Sequence, residues 1–253
     1  MDGGAHRRAG QRRRSGNRAG AELHRVLRGH ALRRRRRGGG ANLRCNNSSL
    51  WVDDSRLTGN DADQGVAISG DACAPLWVRR SEIVGNRGGG IDADTSESHI
   101  VNCFIRGNGF PGVSNVSGLR FEQGNFEVLY TSIAFNSSSG ADGIICDEFT
   151  LGTIRNSAVV SPTPGTIGCT AEVASVTYTG TDDMNFIGGT GNVEIDGSVF
   201  VSTNDLHTTA GSALEGVAQW QAGGAVEDPR TDIEGDARPT VDRSMDYAGA
   251  DVP

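Results

Sequence analysis

A repeated eleven-residue pattern constrains this chain more than any other feature, because self-similarity at a regular period is the signature of a solenoid. Each copy alternates polar residues with apolar or small ones, continues with a small residue and one more apolar residue, and closes on an asparagine. That asparagine recurs after 26, 22 and 28 residues. The copies occupy residues 50–60, 76–86, 98–108 and 126–136, followed by degenerate copies at 151–161 and 193–201.

The order of residues within one copy predicts coils made only of strands. Alternation such as Leu76 and Val78 is typical of a strand with one buried face. The small Ser81 suits a bend in the wall, and Ile83 points inward again. Asparagine or glycine closes the turn, as at Gly85-Asn86, because both residues tolerate positive φ. Fixed leucine spacing, frequent hairpin turns and long aromatic-rich blades are absent, which disfavours leucine-rich repeats, sandwiches and propellers. We therefore predict an all-β fold, a right-handed parallel β-helix of about 6–8 coils.

Stacked coils lie about 4.8 Å apart, so equivalent residues of successive copies are expected to form columns. The alignment places Asp53 over Arg79 and Asp54 over Arg80. These neighbours predict ion pairs between coils, each worth less than about 1 kcal/mol when exposed. The closing asparagines are expected to form a structural ladder of hydrogen-bonded amides: Asn60, Asn86, Asn108 and Asn136.

The repeat resembles that of the right-handed parallel β-helix proteins of bacteria, which commonly follows LxLxNSxIxGN. The resemblance covers residues 45–205. Residues 205–213, 232–239 and 246–251 are similar to the closing segment of many secreted members, with Leu214-Glu215 in place of the usual Ile-Asp. The resemblance implies an extracellular or cell-surface protein. It implies no single chemistry, because the family includes adhesins, polysaccharide lyases, hydrolases and proteins without known activity.

Residues 1–44 form a basic arm with 14 arginines and two acidic residues, a balance of +12, whereas the rest of the chain carries −19. We expect this arm to be disordered or to result from translation in a shifted frame. An arm that binds nucleic acid is the alternative, but it lacks aromatic residues for stacking, and the acidic body should repel nucleic acid. We therefore expect no nucleic-acid partner.

The sequence also bears on the compartment of the protein. No apolar stretch approaches the roughly 20 residues that a membrane span needs, so no span is expected. The arm also lacks the apolar region of a signal peptide, so we expect an export signal further upstream and a longer solenoid than this chain contains.

Residues 206–253, including Trp220, are expected to form an irregular C-terminal cover over the open end of the solenoid. Residues 109–125 and 163–192 are expected to be loop excursions that build a binding wall.

The best surface cluster for catalysis consists of Asp53, Asp54, Arg79 and Arg80. The family resemblance implies that lyases on this fold combine acidic Ca²⁺ ligands with an arginine or lysine base, and that hydrolases use clustered aspartates. The same four residues also suit a ladder of salt bridges. We favour the ladder and assign no catalytic residue.

Two loops place carboxylates one residue apart and are candidates for weak Ca²⁺ binding. Solvated turn aspartates are the interpretation we favour, so no metal or other cofactor is expected, with Ca²⁺ as the alternative. His99 and His207 are isolated in the sequence, which argues against a histidine-based metal site. The carboxylate candidates are Asp61 with Asp63 and Asp92 with Asp94.

The cysteine spacing predicts two disulfides. Cys45 and Cys73 are separated by 28 residues and Cys146 and Cys169 by 23, about one coil in each case. Stacking would bring each pair within bonding distance, which suits an oxidising compartment. Cys103 occupies the small bend position of its copy and is expected to be a buried thiol.

The sequence thus predicts a non-catalytic extracellular or cell-surface scaffold for adhesion, envelope structure or glycan binding, with a polysaccharide or cell-surface glycan as partner. The alternative is a polysaccharide lyase or glycoside hydrolase that acts on acidic polysaccharide. An open groove with converging aspartate, arginine and Ca²⁺ would favour the enzyme. The sequence does not determine the oligomeric state.

Overall fold

The computed structural model describes residues 43–61, 65–112, 114–139, 142–147, 149–162, 166–170, 172–224 and 226–253, and the backbone of Arg25–Arg28 and Ala31–Leu32. The only helical element among them is a short 3-10 helix, Gly197–Val199. The strands, in chain order, are β1 Arg25–Arg28, β2 Ala31–Leu32, β3 Leu43–Asp53, β4 Arg56–Thr58, β5 Ile68–Arg79, β6 Glu82–Val84, β7 Ile91–Asp94, β8 Glu97–Val101, β9 Phe104–Arg106, β10 Leu119–Glu122, β11 Gly124–Leu129, β12 Ser132–Ala134, β13 Ile144–Cys146, β14 Thr150–Arg155, β15 Ala158–Val160, β16 Ile167–Gly168, β17 Ala174–Thr177, β18 Gly180–Thr181, β19 Val193–Glu194, β20 Phe200–Ser202, β21 Asp205–Thr208, β22 Ala218–Gln219 and β23 Met245–Asp246.

These strands form a parallel β-solenoid, as the repeat predicts. One sheet of 11 strands and one of 8 strands are built entirely from parallel pairs between successive coils. A complete coil contributes three short strands, for example β7, β8 and β9. The long strand β5 pairs with both β7 and β8, so the first two walls of the coil belong to one bent sheet.

The register of the coils follows the sequence alignment. Val52 pairs with Val78, which pairs with Ile100, and the column continues through Val128 and Ile154. These five side chains have no exposed surface. A second inward column is equally buried and lies on the smaller sheet: Leu57, Ile83, Ile105, Ile133 and Val159.

Left-handed backbone at the corners turns each coil, and of the two residue types expected to adopt it, glycine does so. The closing asparagines do not adopt positive φ; in the first three copies the preceding glycine does, as at Gly85 (φ 62°), and Phe135 (φ 56°) does so in the fourth. A second column of positive φ lies one residue before the small bend position, where non-glycine residues rarely adopt this conformation. Its members are Asp54, Arg80, Asn102, Tyr130, Asn156 and Tyr178.

The solenoid has about five turns, slightly fewer than the expected 6–8 coils. The weak copy at 193–201 does not form a complete coil. Its start, β19, still pairs with β18, but β20 leaves the coil and forms an antiparallel hairpin with β21.

The two expected excursions contribute strands to the solenoid. The segment 109–125 contains β10, which pairs in register with β7 and β13. The segment 163–192 contains β16, β17 and β18, which together make one more coil. The strands in both segments are short and contain few apolar residues, so the repeat pattern did not identify them. Phe186, after this last coil, packs into the interior core.

Most of the basic arm lies outside the described residues, so its expected disorder cannot be compared with the structure. Two backbone segments inside it are described, and they continue the solenoid. Strand β1 pairs in parallel with β3, so that Leu27 is in register with Val52, and β2 pairs with β4, so that Leu32 is in register with Leu57. The spacing of these two leucines matches that of the later copies.

The C-terminal segment, residues 195–224 and 226–253, packs along the outer side of the coils. The fold thus includes the irregular C-terminal cover that the sequence predicts, and this cover extends over the outer side of the coils. A second apolar cluster, separate from the interior core, joins outward residues of the solenoid to residues of this segment, such as Trp220. The outward residues are Val101, Phe104, Leu129, Tyr130, Ala134, Ala158 and Val160.

Polar contacts fasten the C-terminal segment to the same side of the coils. Asn102 donates a hydrogen bond to the carbonyl of Thr231 (2.9 Å), and the backbone N–H of Ala250 donates one to Ser132 Oγ (3.0 Å). A buried ion pair joins Arg155 to Asp228. The segment thus stabilises the third to fifth coils from outside.

None of the described helices combines the length and apolar character that crossing a bilayer requires.

Candidate functional site

The four residues of the candidate catalytic cluster meet as two ion pairs between coils. Arg79 donates hydrogen bonds of 2.7 and 3.0 Å to the two carboxylate oxygens of Asp53, and Arg80 makes the same pair of contacts with Asp54. Asp53 is buried, whereas the Asp54 side chain is 48% exposed. The alignment of the repeats therefore located both pairs.

Arg80 is fixed in its charged form by this geometry. Its hydrogen bond to Asp54 raises the pKa of Arg80 above the ordinary value, although partial burial acts in the opposite direction. A lyase base must accept a proton, and a raised pKa opposes that role. The pairs act as bidentate links between coils, which is the interpretation that the sequence favoured.

A groove of about 390 Å³ opens beside these pairs. One wall is the solenoid, with Trp77, Arg79 and Arg80, and the other is the part of the C-terminal segment that contains Arg230. The Trp77 ring stacks on His99 with ring centroids 4.1 Å apart, and the Arg79 guanidinium lies 5.3 Å from its centroid. The groove exists only because the C-terminal segment packs on the side of the coils.

The floor of the groove includes Asn102, which is buried. Its amide nitrogen donates to Thr231, which fixes the orientation of the amide. Its Oδ1 atom has no hydrogen-bond partner among the described residues. The site therefore contains arginine donors near the surface and one unsatisfied acceptor below them.

Two of the four carboxylates proposed for Ca²⁺, Asp92 and Asp94, have other partners in the described structure. Asp63 lies outside the described residues, and Asp61 is exposed. Asp92 accepts two hydrogen bonds from Arg120, at 2.7 and 3.1 Å, and Asp94 accepts one from Thr95. A bidentate arginine partner already compensates the charge of Asp92, so these positions gain no support as a calcium site.

The closing asparagines form a continuous ladder. The backbone N–H of Asn60 donates to Asn86 Oδ1 (3.1 Å), and the Asn86 amide nitrogen donates to Asn108 Oδ1 (2.8 Å). Asn108 in turn donates to Asn136 Oδ1 (3.0 Å). All four are buried, so the ladder is a structural feature that ligands do not reach.

Both predicted disulfides are confirmed. Cys45 bonds to Cys73 and Cys146 bonds to Cys169, with Cα atoms 5.7 and 4.8 Å apart. Cys103 is the free, buried thiol that its bend position predicted. Each disulfide joins neighbouring coils, one towards each end of the described solenoid.

A separate cluster of ionisable groups lies within the C-terminal segment around His207 on β21. Its Nδ1 bonds to Asp205, and its Nε2 lies 2.8 Å from Glu234 Oε1. Burial lowers the pKa of His207, but the hydrogen bonds to Asp205 and Glu234 outweigh it and raise the pKa to about 9. Burial raises the pKa of Glu234 and of the neighbouring Asp251.

The members of this cluster are far apart in the chain and follow no repeat, so the sequence alone did not bring them together. Atoms of His207, Glu234 and Asp251 that could bind a metal lie within 4.8 Å of one another, and no other set of three in the described part of the chain does so. The expectation that His207 is isolated was therefore wrong. The closing-segment resemblance covered all three positions and was the available signal, although it assigned them no role.

The fold and the groove define a parallel β-solenoid whose outer side carries a packed C-terminal segment. No protein-family model matches the chain, and comparison with curated proteins and with solved structures likewise finds no match. The class therefore rests on the coil register and on the two sheets.

Proposed function

We propose that the protein is a non-catalytic scaffold of the extracellular space or cell surface that serves adhesion or envelope structure by binding glycans in the groove beside Trp77. The groove is the single observation that carries this proposal. It is a concave surface with an aromatic ring and planar guanidinium groups, which together suit a ligand rich in hydroxyl groups.

The disulfides support the extracellular part of the proposal. Disulfides persist in oxidising compartments and are rare in the cytosol of most organisms. Two of them fasten neighbouring coils here. The resemblance of the closing segment to that of secreted bacterial β-helix proteins points the same way.

A lyase or hydrolase receives no comparable support. Each carboxylate of the predicted cluster is engaged with an arginine, and Arg80 has a raised pKa. The residues thus lack a free pair of acid and base in that place. We therefore do not propose an enzymatic activity.

Glycan binding is tested by titrating the purified protein with a panel of neutral and acidic polysaccharides in a calorimeter. We expect saturable binding that weakens at least about tenfold in Arg80→Ala, because one planar donor group of the groove is lost. Arg56→Ala is the matched control, since Arg56 also pairs with an acidic residue of the neighbouring coil, Glu82, but lies outside the groove. Absence of binding to every polysaccharide, or equal weakening in both variants, would contradict the proposal.

The compartment is tested separately by alkylating thiols in intact cells before lysis. An exported protein should arrive with Cys45, Cys73, Cys146 and Cys169 already bonded and therefore unlabelled. Labelling of all four would place the chain in a reducing compartment and contradict the extracellular assignment.

A further inference from the structure

We propose that His207, Glu234 and Asp251 form a binding site for a divalent transition-metal ion of the zinc class, which links three parts of the C-terminal segment. The set combines one imidazole nitrogen with two carboxylates. Zinc accepts such mixed nitrogen and oxygen ligands, whereas calcium takes oxygen ligands. Binding of the ion would release to solvent the proton that Nε2 of His207 carries at neutral pH, and a water molecule would fill the fourth position.

The imidazole is oriented as in known metal sites. Nδ1 of His207 faces Asp205, so Nε2 is the atom directed towards Glu234. A histidine that binds a metal through one nitrogen almost always donates its other N–H to a carboxylate or carbonyl. Asp205 therefore has the position of the residue that orients the ligand.

The two carboxylates are held in place by one buried residue. Asp232 Oδ1 accepts hydrogen bonds from the backbone N–H groups of Glu234 (3.0 Å), Gly235 (2.8 Å) and Asp236 (2.7 Å). Its Oδ2 accepts one from Val252 (3.2 Å), next to Asp251 in the chain. The turn that carries Glu234 and the C-terminal residues that include Asp251 are thus fastened to the same carboxylate.

The site also combines one rigid ligand with two adjustable ones. Asp251 is buried, and its Oδ2 accepts a hydrogen bond from the backbone of Thr208 (2.7 Å). The side chains of His207 and Glu234 are 43% and 41% exposed, so an ion has access from solvent. The three ligand atoms lie within 4.8 Å of one another, and zinc takes nitrogen and oxygen ligands at about 2.0–2.2 Å.

Two observations favour a cation at this position over a simple ion pair. Three carboxylates, Asp205, Glu234 and Asp251, surround a single histidine. In addition, the hydroxyl of Thr208 is buried without a hydrogen-bond partner among the described residues. Carboxylates thus outnumber the histidine, with Arg106 acting on Asp205 and Arg238 on Asp251, and one unsatisfied polar atom lies at the border of the cluster.

The proposal is tested on the full chain after treatment with a chelator and dialysis. Zn²⁺ titrated in a calorimeter should bind, and the number of ions bound per chain should fall by one in both His207→Gln and Glu234→Gln. Asp205→Asn should weaken binding at this site by about 10–100-fold, the usual effect of removing the partner of a histidine ligand. Zn²⁺ should also raise the midpoint of thermal unfolding of the wild type but not of Glu234→Gln.

His99→Gln is the matched control, because His99 also lies between two carboxylates, Glu97 (3.3 Å) and Glu127 (3.0 Å), yet belongs to no set of three ligands. It should leave Zn²⁺ binding unchanged. Circular dichroism of each variant verifies that the solenoid is folded. Absence of Zn²⁺ binding in the wild type, unchanged binding in both His207→Gln and Glu234→Gln, or equally tight Ca²⁺ binding would overturn the proposal.

Discussion

Tight packing in the interior of the solenoid leaves little space for larger side chains. Phe126 stacks on Phe121 with ring centroids 4.2 Å apart and an interplanar angle of 2°, and both rings are buried. Gly152 lies on the next coil, in register with Phe126. A Cβ atom on Gly152 would lie 2.3 Å from a carbon of the Phe126 ring, so only glycine fits beside this stack.

We expect Gly152→Ala to destabilise the protein by about 1–3 kcal/mol, the usual effect of excess volume in a packed interior. Gly188→Ala is the control, because a Cβ there meets no atom within 4 Å. Chemical denaturation of the two variants measures the difference. Equal stability would show that the Phe126 ring moves aside without penalty.

Cys103 should be chemically inert while the protein is folded. Burial raises its pKa to about 12, and its sulfur donates weak hydrogen bonds to the carbonyls of Val78 and Val101. Because the thiolate is the reactive form, a thiol reagent at neutral pH should label no cysteine in the native protein and one after denaturation without reductant. Rapid labelling of the native protein would contradict this burial.

The asparagine ladder links the turns that close four successive copies of the repeat. Asn108 Oδ1 accepts hydrogen bonds from both the backbone and the side chain of Asn86, and its own amide donates to the carbonyl of Ile83 (2.8 Å). Removal of this one side chain therefore leaves polar groups on the neighbouring coil without partners. A buried polar group without a partner costs about 1–3 kcal/mol.

Asn108→Ala should therefore lower the free energy of unfolding by at least about 1–3 kcal/mol. Asn125→Ala provides the comparison, since Asn125 is an exposed asparagine on β11. Urea denaturation of both variants tests the ladder. A loss no greater than that of Asn125→Ala would mean that water replaces the amide.

At the scale of the whole molecule, the solenoid and the C-terminal segment are joined by charges withdrawn from water. Arg155 and Asp228 are both buried, and Asp228 also accepts a hydrogen bond from the backbone of Gln221 (2.8 Å). Arg238 likewise pairs with Asp246 and lies 4.5 Å from the ring centroid of Tyr130. Removal of one partner of such a pair leaves a buried charge uncompensated.

We expect Asp228→Asn to cost about 3–5 kcal/mol and to loosen the C-terminal segment before the coils unfold. Hydrogen exchange should then accelerate in residues 226–253 more than in β8, β11 and β14. Glu227→Gln is the control, because the pair of Glu227 with Arg230 is exposed and worth about 0–1 kcal/mol. Uniform acceleration across the chain would show that the segment and the solenoid unfold together.

The repeat was sufficient to predict the coils, because each coil buries the same positions and every neighbour along the column is one period away. The alignment therefore gave the register of Val52, Val78 and Ile100, both disulfides and the Asp53–Arg79 pair. It did not reveal the coil built from β16, β17 and β18, because short strands with few apolar residues carry a weak pattern.

Only the tertiary structure decided where the C-terminal segment packs, and with it the groove and the cluster around His207. The contact from Asn102 to Thr231 spans 129 residues and repeats at no period. The sequence contains one sign of this packing. In the column that runs from Asp53 through Arg79 to Val101 and Leu129, the first two copies have charged residues and the third and fourth have apolar ones. The period of the repeat determines which residues share a column. The segment that covers the outer side of a column follows no period. Its position depends on shape complementarity between the segment and the coils, which only the folded chain provides.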